Sequence, residues 1–314
     1  MTTIPSVRPR KNLGYRFTLA LKRDWQLWVL LIPALAFFIV FCYFPMFGAQ
    51  IAFRKFQHNL GIWGSKWVGW ENFEKFFRLY YCGRMFRNTF LLNFLGLAFG
   101  FPIPIILAIM LNQLNHKRFK SFTQTAIYVP HFISTVVLAG MIYLFFSPTN
   151  GIINHIITAA GGKSIYFVME PSWFRPLYIG SDIWQNAGWG SIIYLAALSG
   201  INPELHEAAI MDGANKYQRV WHIDLPGILP TVVVMFILSA GKVMTVGFEK
   251  AFLMQTSLNI SASEIISTYV YKRGLQQSQF DFSTAVGLFE SVVNLVMIST
   301  VNFISKKVSD SSLF

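Results

Sequence analysis

Six histidines, His58, His116, His131, His155, His206 and His222, are the side chains best suited to acid–base or metal chemistry near neutral pH. None stands in a spacing that such chemistry needs: there is no H-E-x-x-H pair, and neither Cys42 nor Cys82 has a metal-ligand partner at the required distance along the chain. His206 lies beside Glu207, but adjacent residues on a helix point apart. Gly161-Gly162-Lys163-Ser164 has the form of the end of a phosphate-cradling loop, yet the first glycine of that loop falls on Ile157, so the segment reads as a turn. No hydrolytic or metal constellation emerges, and catalysis by this chain is not expected.

A different arrangement lies in the loop 200–226. Asn202 is placed to cap a helix whose first residue is Pro203, a position where proline loses no useful donor. The helix runs through Glu204, Glu207, Ala208 and Ala209; the paired alanines leave a narrow face that can approach another backbone, and Gly213 allows the positive φ of a sharp turn. Leu225-Pro226 is expected to end the element. The product is a short protruding peg with Glu207 as its one charge within the motif, complementary to a partner arginine. A bare Glu-Ala-Ala would fit an ordinary interfacial hairpin equally well. The whole spacing, E-A-A-x3-G-x9-I-x-L-P through Gly213, Ile223, Leu225 and Pro226, points instead to docking.

The elements holding this loop are apolar. Of 314 residues 54% are hydrophobic, 17% aromatic and only 13% charged, a composition of the bilayer rather than of a soluble domain. Six stretches are long enough to cross a hydrocarbon core, for which a helix needs about 20 residues: 27–44, 88–111, 123–146, 177–198, 228–248 and 283–304. The first lacks a small-residue cleavage site and is no signal peptide. The expected fold class is an all-α integral membrane protein with six transmembrane helices.

Lysine and arginine number 26 against 14 acidic residues, a net charge of +12, and most of it flanks the apolar runs. That placement suits anionic headgroups, and no nucleic-acid partner is expected. Arg8, Arg10, Lys11, Arg16, Lys22 and Arg23 precede the first span, Lys117, Arg118 and Lys120 follow the second, and Lys306 and Lys307 follow the sixth. The positive-inside rule puts all three groups, both termini and the loop 200–226 in the cytoplasm. The resulting plan is a cytoplasmic segment 1–24, a membrane domain 25–306, an external loop 45–87, the cytoplasmic loop 200–226 and a tail 307–314. Within 45–87, Phe73, Phe76, Phe77 and Tyr80 recur at helical spacing, as in a helix lying in the membrane interface.

The loop motif resembles the signature of binding-protein-dependent ABC importer permeases. Further stretches, Trp25-Gln26-Leu27 with Pro33-Ala34, Tyr43 to Gly48, Val129-Pro130-His131-Phe132-Ile133-Ser134, Ser267 to Tyr271 with Arg273-Gly274-Leu275, and Ala285 to Phe289, are similar to the LplB-type subgroup of carbohydrate importers, which includes the alginate importer permease. The resemblance implies a MetI-like permease fold in a bacterial cytoplasmic (inner) membrane. Its implied partners are a second homologous permease subunit, two cytoplasmic ATPase subunits and an extracytoplasmic solute-binding protein. It further implies ATPase coupling through Glu207, Ala208, Ala209, Gly213, Ile223, Leu225 and Pro226, with ATP and Mg on the ATPase subunits and no cofactor on this chain. The implied cargo is an oligosaccharide or polysaccharide, an acidic glycan such as alginate among the candidates.

Polar residues inside spans are the guide to a translocation path, because a charge at the bilayer centre is expensive unless it faces water or a partner. Lys242 in 228–248, Asp182, Gln185, Asn186 and Trp189 in 177–198, and Glu290 and Asn294 in 283–304 are the candidates. Amides and carboxylates pair with sugar hydroxyls, and Trp184, Trp189 and Tyr194 offer faces for a pyranose ring. Interhelical hydrogen bonding without a ligand would use the same residues. An importer permease for a non-sugar solute is the alternative; a secondary transporter would need paired broken helices, which the spans do not suggest.

Overall fold

The computed structural model describes residues 23–241 and 246–308; Lys242 and the greater part of the expected terminal segments 1–24 and 307–314 lie outside the described residues. Helix α1, Trp25–Phe53, carries the first apolar run beyond the expected end at residue 44. It accommodates Pro33 and Pro45 by changing winding, through a π-helical stretch Phe38–Tyr43 and a 3-10 end Phe47–Phe53. None of Trp25–Phe37 is buried by the rest of the chain, so this apolar helix must be covered by lipid or by another subunit.

The segment that follows folds onto the chain itself. Strands β1, Arg54–Lys55, and β2, Lys66–Trp67, form an antiparallel ribbon, and α2, Glu71–Phe77, is tied down by Asn72, whose Nδ2 donates to the carbonyls of Ala52 at 2.9 Å and Arg54 at 3.1 Å. Phe73 and Phe76, expected on a membrane-interface face, are buried in the protein core, while Phe77 and Tyr80 remain exposed. The aromatic face is claimed by α12, described below, because Phe76 packs among Met85, Phe282 and Val286.

Helix α3, Cys82–Asn112, contains the stretch 88–111 and starts earlier. The expected single span 123–146 is two helices, α4, Lys117–Phe132, and α5, Thr135–Phe145, meeting at a bend of 99°. The bend has identifiable causes: Pro130 lies in the last turn of α4, Ser134 leaves helical geometry and caps α5 by accepting from Val137 N, and Gln185 Nε2 holds the freed Ile133 carbonyl at 2.7 Å. After α6, Ile152–Ala159, comes α7, Pro171–Ser199, which contains 177–198. At 29 residues it is long, but too polar to rank with the four helices among the described residues that are long and apolar enough to cross a membrane, or five if the bent pair counts as one.

Helix α8, Pro203–Met211, occupies the loop 200–226. Helix α9, Lys216–Ala240, begins inside that loop and ends eight residues before the expected limit of 228–248, at Gly241, where the Ile298 side chain packs against the backbone. Farther along are α10, Phe248–Met254, and α11, Ile266–Tyr271, and the described residues end in α12, Phe280–Val308, which contains 283–304.

Helix α7 is the axis of the packing. It touches α4 with almost no side chain between them: a Cβ on Gly188 would collide with the Ile127 carbonyl. Its Tyr194 and Leu198 join Ala108 of α3 and Ile228 of α9, and its Phe174, Leu177 and Tyr178 join Ala251 and Met254 of α10 in the main apolar core. Contacts this tight let α7 hold its polar residues at fixed positions relative to α3 and α9.

Candidate coupling surface and translocation cavity

The loop 200–226 is built by a sequence of local rules. Asn202 Oδ1 accepts from Glu204 N at 3.1 Å, and Pro203 fills the first helical position, as expected from their types. At the other end of α8, Ala214 N donates to Ala209 O at 2.8 Å and Gly213 N to Ile210 O at 3.0 Å, with Gly213 at φ 79°. This pair of bonds is a Schellman stop, and it explains the spacing of the motif: the second alanine supplies the carbonyl that the turn around Gly213 must satisfy. Asn215 then starts α9 with a reciprocal capping box, Asn215 Oδ1 accepting from Gln218 N at 2.9 Å and Gln218 Oε1 from Asn215 N at 2.7 Å.

The result projects from the chain. No residue of α8 is buried, and Glu207 and Ala208 are exposed beside Leu205, Ile210 and the 87% exposed Met211. Glu207 thus stands among apolar side chains that the rest of the chain leaves uncovered. Ile223 and Leu225 are half-buried at its base. Leu225-Pro226 does not end an element: it lies within α9, where the π-helical stretch Val220–Asp224 widens the winding just before the proline, which brings no N–H.

A second feature lies in the membrane part, a cavity of about 420 Å3 between α3, α7 and α9. Its apolar walls are punctuated by Asn93, Tyr178, Asp182, Asn186, Tyr194 and Ser239. Asp182, Asn186 and Trp189 follow one face of α7 and are joined in a ladder. Lys250 Nζ donates to the Tyr178 carbonyl at 2.8 Å, lies 4.7 Å from the Tyr178 ring centre and sits 3.5 Å from Asp182 Oδ1. Asn186 Nδ2 donates to the same Asp182 Oδ1 at 3.2 Å, and Asn186 Oδ1 is 3.0 Å from His131 Nδ1. The His131 ring stacks on Trp189, centroids 4.6 Å apart and planes at 4°. The cation is buried and the carboxylate half-exposed, so this wall offers a charge-compensated, hydrogen-bonding surface rather than a free positive charge.

Trp189 lies outside the residues that line the cavity, joined to the wall through His131, and the other expected path residues are elsewhere. Gln185 is buried and holds the bend between α4 and α5. Trp184 faces an apolar groove on the far side of α7 with Leu138 and Met141. Glu290 has a buried Oε1 without a hydrogen-bond partner and lines a separate hollow of about 350 Å3 together with Phe248, Tyr271 and Ser283, and Asn294 follows one turn later on α12. Reading the sequence alone missed Lys250, His131, Asn93 and Tyr178. Lys250 follows the expected end of a span, where a lysine reads as a flank, and the return of α10 to α7 has no local signal.

Residues 100–310 match the family described as binding-protein-dependent transport system inner membrane component. The chain is 44% identical over 318 residues to Protein LplB of Bacillus subtilis (strain 168), covering 100% of both. It is 41% identical over 305 residues to the polygalacturonan/rhamnogalacturonan transport system permease protein YteP of the same organism, covering 97% of this chain and 95% of the relative. Among solved structures it is similar, with a TM-score of 0.88 and 39% identity over 95% of this chain and 100% of the other, to a chain of a bacterial alginate ABC transporter in complex with an alginate pentasaccharide-bound periplasmic protein.

Proposed function

The chain belongs to the family of binding-protein-dependent transport system inner membrane components, and we propose that it serves as one permease subunit of an ATP-driven importer of oligosaccharides in the bacterial inner membrane. A second, homologous permease completes the pore, two ATPase subunits supply the energy with their own ATP and Mg, and an extracytoplasmic binding protein delivers the sugar. This chain holds no cofactor in the reading and hydrolyses nothing.

The observation that carries the proposal is the projecting α8, with Glu207 and its apolar neighbours uncovered. Glu207, Ala208, Ala209 and Gly213 form the docking element, and Ile223, Leu225 and Pro226 root it in α9. Six crossings with both termini cytoplasmic follow if α7 spans alongside the apolar helices and the α4–α5 pair counts as one crossing. Support for the orientation comes from Gln113, at the end of α3, whose Nε2 reaches Asp224 of α9 at 3.0 Å. That contact puts the basic group Lys117, Arg118 and Lys120 at the same end of the bundle as α8.

This chain's share of the path is the wall bearing Asp182 and Asn186, with Asn93 and Tyr178 added and with Trp189 and Lys250 next to it. Paired charge, amides and ring faces suit hydroxyl-rich cargo, and the polygalacturonan and alginate named for the relatives bring uronate oligomers forward as candidates. Reconstitution with the ATPase and binding protein, followed by a screen of neutral and uronate oligosaccharides for stimulated ATP hydrolysis, tests the reading. Stimulation by oligosaccharides supports it; stimulation only by non-sugar solutes contradicts it.

A further inference from the structure

Helix α8 has one polar side chain turned inward. Of its nine residues only His206 and Ala209 are even partly covered, and His206 Nε2 lies 3.3 Å from Asp224 Oδ1. Asp224 is fully buried, in the last position of the π-helical stretch of α9. Its other oxygen, Oδ2, accepts from Gln113 Nε2 at 3.0 Å, and Gln113 caps the end of α3. Oδ1 has no aligned hydrogen bond, so the His206 contact is what answers its charge from α8.

A buried carboxylate is costly to leave without partners, and this one is shared among three elements. Two of them, α3 and α9, line the central cavity, through Gly96, Gly100 and Phe101 on one and Met235 and Ser239 on the other. The connection passes through the single π-helical stretch of α9, the kind of local widening that marks functional positions in helices. From this geometry we propose that His206, Asp224 and Gln113 are positioning residues that carry displacement of α8 into the two cavity-lining helices. The proposal rests on the reading of α8 as the docking element. Pulled by the ATPase, α8 moves His206; Asp224 follows because losing its partners leaves a buried charge; Gln113 brings the end of α3 with it. Docking and transmission are thereby separate tasks, the first on the outer face of α8 and the second on its inner face.

The test uses the full transporter in proteoliposomes, with both permeases, the ATPases and the binding protein. ATP hydrolysis, sugar uptake and ATPase retention are read for His206→Gln, Asp224→Asn and the double variant. Each single change should lower sugar carried per ATP by about tenfold, the scale of losing one partner at a buried charge, with ATPase retention unchanged. The double variant should be no worse than either single one, since the two residues act as one link. Losses that multiply in the double variant would mean that the two residues act independently, and that result, or an unchanged ratio in both single variants, overturns the proposal. If Asp224→Asn does not assemble, His206→Gln decides, because His206 is only partly covered on a projecting helix. Glu207→Arg is run alongside: loss of ATPase retention there, with an unchanged ratio in His206→Gln, rejects the link and keeps the docking reading. Full retention and transport in Glu207→Arg rejects the docking reading itself.

Discussion

Replacing Gly213 by alanine isolates the turn that ends α8. The residue has φ 79°, and a Cβ built there meets no atom within 4 Å, so the change brings no clash and acts through the backbone alone. Holding an alanine in the left-handed region costs roughly 1–2 kcal/mol. That is enough to shift the population of the native turn by a factor of about 5–30. The bonds at stake are Ala214 N to Ala209 O and Gly213 N to Ile210 O, and without them the last turn of α8, which carries Met211, is no longer held at its angle. The measurement is the affinity of purified ATPase for the permease pair in nanodiscs, with permease content as the control for assembly. Gly213→Ala should weaken it by about 5–30-fold, and Gly213→Asn by distinctly less, because asparagine tolerates the left-handed region better than other side chains. Equal weakening by alanine and asparagine would refute the conformational argument, and wild-type affinity in both would refute the role of the turn.

Three further outcomes follow from the packing. Gly188→Ala should prevent α7 from seating on α4, since the added Cβ meets the Ile127 carbonyl; the expected loss is about 1–3 kcal/mol or more, read as reduced yield and a lowered melting temperature of the detergent-solubilised protein. Asp182→Ala leaves the buried Lys250 without its counter-charge and should destabilise by about 1–3 kcal/mol, less than for a fully buried pair because the carboxylate is half-exposed, with much of that recovered in Asp182→Ala/Lys250→Met, as thermal unfolding of the two variants would measure. Asn72→Ala removes the bonds to Ala52 and Arg54 carbonyls and should cost about 1–3 kcal/mol, detectable as early proteolysis between α1 and α3 while the remaining helices stay protected.

The parts of the fold that follow from neighbours along the chain could be read in advance. Asn202, Pro203 and Gly213 are read correctly because a cap, a first-turn proline and a left-handed glycine are local events. The apolar runs of α1, α3, α9 and α12 declare themselves for a similar reason, since a helix in lipid must be apolar over its whole length. What depended on distant partners was not legible. The bend between α4 and α5 requires Gln185, fifty-two residues beyond Ile133, and no periodicity in 123–146 announces it. Phe73 and Phe76 have the spacing of an interfacial helix, and only the meeting of Phe76 with Phe282 and Val286, and of Phe73 with Ala285, all of α12, turns them inward. In the cavity, Asp182 and Asn186 stand out as polar residues in an apolar setting, whereas Lys250 and His131 gain meaning only when α10 and the end of α4 come to lie against α7. Gln185, Trp184 and Glu290 had the same polar or aromatic character and face other surroundings, because residue type does not say which side of a helix meets the cavity.

The most direct test of the central account is uptake of labelled oligosaccharide into proteoliposomes containing this chain and its partner permease. ATP is supplied on the side of α8, and the ATPase and binding protein are added or withheld in turn. Uptake is expected only when both are present, and is lost when Gly213 and Glu207 are both replaced by residues that abolish ATPase retention. Uptake that proceeds without the ATPase, driven by an ion gradient, would contradict that expectation.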